Sequence, residues 1–202
     1  MTCPYRENGF CSLLSEEDRA ALCRHCHIRR YAKGQWLARK MWGDSLVLCV
    51  EGLMVFGNMD EKRGRLVTNE IMGRGVFPST GNCSGGVLHA VSDRNILCMT
   101  DCVVAEFEPD YIARMFESNI AFVKVVFRIC MQACCNDSIE LLNAIGNGDA
   151  YAAVRYVCQT CKKYGVPVLT HEQIALICNR SRPTVTETMH LLIKKEPELF
   201  LR

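Results

Sequence analysis

Three textures of apolar and polar positions follow one another along this chain. Residues 12–30, SLLSEEDRAALCRHCHIRR, have helical spacing. Ser15 is a candidate N-cap, and Glu16, Glu17 and Asp18 favour the positive end of a helix dipole. From Tyr31 to Phe107 the apolar segments become short and glycine-punctuated. Strands are predicted over 35–39, 45–51, 53–58, 64–68, 86–90, 95–100 and 102–107. Turn signals separate them at Trp42-Gly43-Asp44, at Glu51-Gly52 and between Asn58 and Gly64. Many short strands with regular turns predict a sandwich or barrel-like roll.

Beyond Asp110 the helical period returns. A short helix is predicted over 110–117 and a long one over 119–143. In the long helix Ile120, Val123, Phe127, Cys130, Cys134, Asp137 and Leu141 recur at spacings of 3 and 4, a heptad seam. Such a stripe either packs on its own domain or pairs with a second copy. Asp137 interrupts it and marks where two paired helices would splay. Gly146-Asn147-Gly148 is the best linker. Asp149 then caps a helix to about Tyr164, and Gly165-Val166-Pro167 ends it.

The stretch from 169 to 192 reads LTHEQIALICNRSRPTVTETMHLL. Thr170 with Gln173 forms a capping-box pattern, and Ile174, Ala175 and Ile177 give an apolar stripe. Asn179 suits the left-handed backbone of a tight turn. Ser181 is the N-cap of a second helix, and Pro183 fits its first turn. Val185, Met189 and Leu192 face inward; Arg180, Arg182, Thr184, Thr186, Glu187 and His190 face out. Periodicity alone fits an ordinary helical hairpin as well as a helix-turn-helix, whose second helix reads bases in a major groove.

The wording of that stretch resembles the helix-turn-helix of the cyclic-AMP receptor / fumarate-nitrate regulator (Crp/Fnr) family of bacterial transcription factors. SRPTV at 181–185 is similar to the family's usual Ser-Arg-Glu-Thr-Val. Pro183 replaces the family's base-reading Glu, and Glu187 stands where many members carry Arg. Upstream, Lys33-Gly34-Gln35, Gly43-Asp44, Val50-Glu51-Gly52 and Met99-Thr100-Asp101-Cys102 resemble the family's β-roll in the right order. The resemblance implies an α+β chain in three parts. These are a cyclic-nucleotide-binding-type β-roll that senses an effector (1–118), a dimerisation helix with its hinge (119–145) and a helix-turn-helix DNA-binding domain (146–202). It also implies a homodimer through Ile120, Val123, Phe127, Cys130, Cys134 and Leu141. Double-stranded DNA is the implied partner, met by Arg180, Ser181, Arg182, Thr184, Thr186, Glu187 and His190, with RNA polymerase as a further one. Most members continue into a β-hairpin wing; IKKEPELFLR leaves room for at most one short strand.

Composition narrows the picture a little. The chain has 202 residues, 49% hydrophobic and 23% charged, an ordinary globular mixture. No apolar run is long enough to span a membrane and no signal-peptide layout opens the chain, so a cytoplasmic protein is expected. Net charge is +2 overall, with +3 in residues 149–202 and −1 in residues 1–148. The basic excess sits where DNA would be, and it is mild. No Gly-rich phosphate loop, His-Glu-x-x-His or nucleophile elbow occurs, so catalysis is not expected.

Two sensing chemistries remain. Family members that bind cyclic AMP carry a Gly-Glu pair for the ribose and an Arg for the phosphate. Here Gly75-Val76-Phe77-Pro78 begins like that motif but no Glu follows, and Arg94 is the one nearby downstream Arg. A different small ligand, an aromatic or an organic acid, is expected, in a pocket lined by Arg74, Phe77, Ser79, Thr80 and Arg94. The second chemistry is a metal or iron–sulfur cluster at Cys3, Cys11, Cys23 and Cys26, four of 14 cysteines. Cys23-x-x-Cys26 has ligand spacing. Its placement on a helix would equally give two thiols sharing a core face, and the spacing differs from the fumarate-nitrate branch, so the cluster is not favoured. A sensory or scaffold protein that keeps the fold without reading DNA is the alternative reading, as is a redox sensor built on the N-terminal cysteines.

Overall fold

The computed structural model describes residues 9–37, 46–60, 62, 65–77, 95–132 and 137–201. Among them the chain runs α1 (Gly9–Ser12), α2 (Glu16–Arg24), β1 (Cys26–Tyr31), β2 (Trp36–Leu37), β3 (Leu46–Glu51), β4 (Met54–Asp60), β5 (Arg65–Met72), β6 (Asn95–Cys98) and β7 (Cys102–Phe107). Helices follow: α3 (Pro109–Ser118), α4 (Ile120–Gln132), α5 (Ser138–Gly146), α6 (Ala150–Lys163), α7 (His171–Cys178) and α8 (Arg182–Lys195), then a 3-10 turn, Pro197–Leu199.

The strands form two antiparallel sheets, ordered β1-β7-β3 and β2-β6-β4-β5. β3 is buried on both faces, which explains its unbroken apolar run LVLCV. Val47 and Cys49 point between the sheets with Met54, Phe56, Ile96 and Val104, whereas Leu46, Leu48 and Val50 face outward beneath the N-terminal helices, α3 and α4. Gly52 joins β3 to β4 at φ +93, and a Cβ there would lie 2.5 Å from the Asp101 carbonyl oxygen. Only glycine suits both the backbone and the space.

The outer face of the second sheet is covered by the C-terminal helices. Leu53, Val55, Leu66, Ile71, Leu97 and Met99 join Leu141, Val154, Val157, Cys161, Ile174, Ile177, Val185 and Leu192 in one core. β5 is one edge strand of its sheet, and α5 and α7 lie against it.

Four expectations change. Residues 26–30 are not helical: the helix stops at Arg24, and Cys26–Tyr31 pairs along the whole of β7. Alternation of Ile28 with His27 and Arg29, and a β-branched residue, suit that strand. The heptad seam is not kept in the second of the two helices described there: in Ser138–Gly146 Leu141 turns into the protomer's own core at 0% exposure and Leu142 turns out at 54%. Leu141 is therefore no interface residue. In the tail, which had room for at most one short strand, Pro197–Leu199 forms a 3-10 turn led by Pro197. Finally, α1 was not foreseen. Its Phe10 is fully buried, edge-on to Phe77 with ring centroids 4.6 Å apart.

Candidate nucleic-acid interface

Short-range signals build the helix-turn-helix. Thr170 Oγ1 accepts from the Gln173 backbone N–H at 3.3 Å, and Gln173 Oε1 accepts from the Thr170 N–H at 3.1 Å, a complete capping box. Asn179 sits in the left-handed region at φ 53, ψ 48, and its N–H returns to the Ala175 carbonyl to close α7. Ser181 Oγ accepts from the Thr184 N–H at 3.2 Å and starts α8, with Pro183 in the first turn.

The second helix presents two faces. Val185, Thr188, Met189 and Leu192 are buried against α6 and α7. Arg182, Pro183, Glu187, His190 and Lys194 are exposed, and Thr184 and Thr186 half-buried. Arg182 thus stands at the helix start with a free approach to solvent, as a base-reading position requires. Thr186 is partly occupied: its hydroxyl donates to the Arg182 carbonyl at 3.0 Å, and His171 Nδ1 lies 2.9 Å away. Arg180 points elsewhere, its Nη2 donating to the Ile145 carbonyl at the end of α5, 3.1 Å away. His171, at the opening of α7 beside this face, was missed; its role comes from a contact fifteen positions along the chain.

The far end of α8 is anchored. Glu196 accepts from Arg155 Nε at 2.7 and 2.9 Å and from the Tyr151 hydroxyl at 2.7 Å. The Tyr151 hydrogen bond, then Arg155, hold its carboxyl below the usual carboxylate range. Both residues line an open cleft of about 630 Å³ between α5 and α6, with Glu140, Asn143 and Gln159.

The expected sensing residues are less gathered. Phe77 is buried in the core against Phe10, and Arg74 is exposed. Ser79, Thr80 and Arg94 lie outside the described residues, as do Cys3 and Cys134. Cys11 lies in α1, Cys23 is exposed in α2 and Cys26 opens β1, so the two thiols of Cys23-x-x-Cys26 share no helix face. Among the described residues no three His, Cys, Asp or Glu side chains are placed to hold a metal ion. No helix among them is long and apolar enough to cross a membrane.

Neither a protein-family model nor a curated protein matches the sequence. Solved structures do match the fold. One is a transcriptional regulator of the Crp/Fnr family from Eubacterium rectale, 13% identical, covering 93% of this chain and 87% of its own, at a TM-score of 0.66. A second is CLP, described as a c-di-GMP-responsive global regulator, from Xanthomonas campestris, 14% identical, covering 89% and 92%, at 0.65. A third is TTHB099, a CRP-family transcriptional regulator from Thermus thermophilus, 18% identical, covering 83% and 85%, at 0.62. The fold, a β-roll, connecting helices and a helix-turn-helix in that order, is the one found in regulators of the Crp/Fnr type.

Proposed function

We propose that the protein is a homodimeric, sequence-specific DNA-binding transcriptional regulator controlled by a small molecule other than cyclic AMP. The observation that carries this is the fully capped helix-turn-helix with Arg182 exposed at the start of its second helix. A guanidinium there pairs bidentately with guanine, worth roughly 1–3 kcal/mol of discrimination. Ser181 and Thr184 flank the helix start, where backbone phosphates are met. Glu187 can only accept, from the amino group of cytosine or adenine, and it repels phosphates, so its operator differs from one read by Arg.

The second copy is supported by a row of exposed apolar side chains. Ile120, Phe127 and Met131 on α4 are 69, 64 and 41% exposed, and Ile139 and Leu142 on α5 are 50 and 54%. Val123 and Cys130 flank that row, half-buried. Exposed apolar side chains at helical spacing, such as Ile120, Phe127 and Met131 on one face of α4, mark a contact surface. Two protomers paired along it carry two reading helices, suited to a two-fold symmetric site with half-sites about one helical turn apart.

Selection of bound sequences from a random pool tests this reading, and a symmetric motif is the expected result. Arg182→Ala is expected to relax preference at one position of each half-site. Lys194→Ala is expected to weaken all sites alike and lower the salt slope by about 1. Recovery of no symmetric motif favours the second reading, a protein that keeps the fold without reading DNA. Its support is the engagement of Arg180 and Thr186 within the fold.

The effector prediction is separate. No Glu follows Phe77 to meet a ribose, and a buried phosphate needs a charged or backbone-rich cradle. Titration of cyclic AMP in a calorimeter is expected to give no binding heat. A micromolar isotherm would overturn the assignment of effector class.

A further inference from the structure

We propose that His171 is a positioning residue for base recognition. It locks the Thr186 side chain so that the methyl group faces the DNA groove, and each half-site of the operator carries a thymine there. The proposal rests on the DNA-binding reading and names what one part of the reading helix recognises. His171 is the first residue of α7, and Thr186 lies in the second turn of α8. Both belong to the helix-turn-helix, so their contact travels with that unit.

The proton positions follow from donor and acceptor roles. A carbonyl oxygen only accepts, so the 3.0 Å bond between Thr186 Oγ1 and the Arg182 carbonyl takes the one hydroxyl hydrogen. Thr186 Oγ1 then has lone pairs alone to offer His171 Nδ1, 2.9 Å away. The ring nitrogen donates, which fixes its proton on Nδ1. A threonine bonded to the carbonyl one turn back is ordinary helix chemistry. The ring from a second helix adds the lock. A χ1 rotation that exchanges hydroxyl and methyl would break both bonds together.

This limits what Thr186 can read. It is half-buried, between buried Val185 and exposed Glu187. With its hydrogen committed, the hydroxyl cannot donate to guanine O6 or N7, or to thymine O4. The methyl is left, and its partner in the major groove is the C5-methyl of thymine. Thr186 follows Arg182 by four residues, on the same helix face and about 6 Å farther along the axis. Base steps are about 3.4 Å apart. The thymine therefore lies within about two base pairs of the guanine assigned to Arg182.

The test selects bound sequences from a random pool, then replaces each thymidine of the selected site by deoxyuridine, one at a time. Removing that 5-methyl group is expected to weaken binding about fourfold at one position of each half-site. Thr186→Ser keeps the hydroxyl and loses the methyl; it is expected to bind both versions equally at that position. Thr186→Val carries a methyl on either branch and is expected to keep the discrimination. His171→Ala is expected to lose it. His171→Asn, whose amide can donate in place of the ring N–H, is expected to retain it. Were His171 only part of the packing, His171→Ala would weaken both versions alike with their ratio unchanged, which overturns the proposal. Nitrogen-15 spectra of the free chain at about pH 8, above the usual histidine range, are expected to show His171 protonated at Nδ1 and bare at Nε2. The reverse breaks the lock. A symmetric motif with guanine, adenine or cytosine where Thr186→Ser alters preference, or with uracil tolerated throughout, also overturns the proposal while the DNA-binding reading stands. No symmetric motif at all overturns that reading, and the proposal falls with it.

Discussion

Phe127→Glu is expected to convert the dimer to monomers. Phe127 is 64% exposed on the protomer and central to the row that runs from Ile120 to Leu142. Across a two-fold axis each copy would lose one buried aromatic, about 1.5–3 kcal/mol apiece, and two carboxylates would face each other in a partly dry seam. A loss of about 3 kcal/mol or more is a dissociation constant raised by roughly a hundredfold or more. Phe122 and Val126 point the other way, into the core beneath β3 and β7, so the fold tolerates the change. Sedimentation equilibrium reads the outcome directly; an unchanged dimer would place the contact on another surface.

Leu192→Ala is expected to unfold the roll and the helix-turn-helix together. Leu192 is fully buried in the core that spans both. Removing three carbons from a packed site of that kind costs about 2–5 kcal/mol, a large part of the roughly 5–15 kcal/mol typical of a folded protein. Because the core is shared, the loss appears in one cooperative transition at a lower temperature. Calorimetry showing two transitions, with only one displaced, would contradict it.

The reading of the chain was sharpest where the signals are local. Thr170 with Gln173, Asn179, Ser181 and Pro183 each act within four residues, and every one adopts the cap or turn its chemistry favours. A roll of short strands followed by helices was legible from turn and period signals, whereas reading the last helix pair as a helix-turn-helix came from the family resemblance. Failures came from partners far along the chain. Nothing in HCHIRR forbids a helix; it is a strand because β7 lies beside it. Leu141 fitted the heptad perfectly, yet packing against the C-terminal helices buries it and leaves its neighbour Leu142 exposed. Phe77 was assigned to a pocket by the family resemblance; its burial against Phe10 was not legible, because that ring belongs to a four-residue helix without periodicity. The docking of the helix-turn-helix was equally hidden. Leu66, Ile71 and Met99 read as ordinary strand positions, and Gly73 as a turn glycine, until Tyr164 is seen above it.

The thiols inside the shared core give the molecule its own stopwatch. Cys158, Cys161 and Cys178 are fully buried, and burial pushes the Cys158 and Cys178 thiols up to about 12. A thiol so placed yields almost no thiolate at neutral pH and meets no alkylating reagent while the core is closed. Each alkylation of Cys158 or Cys178 therefore dates one excursion of the protein to an open state. With excess reagent the labelling rate becomes the opening rate itself, measurable by mass without adding a probe. Two cysteines on two different helices keeping common time would mean that the interior opens as a unit.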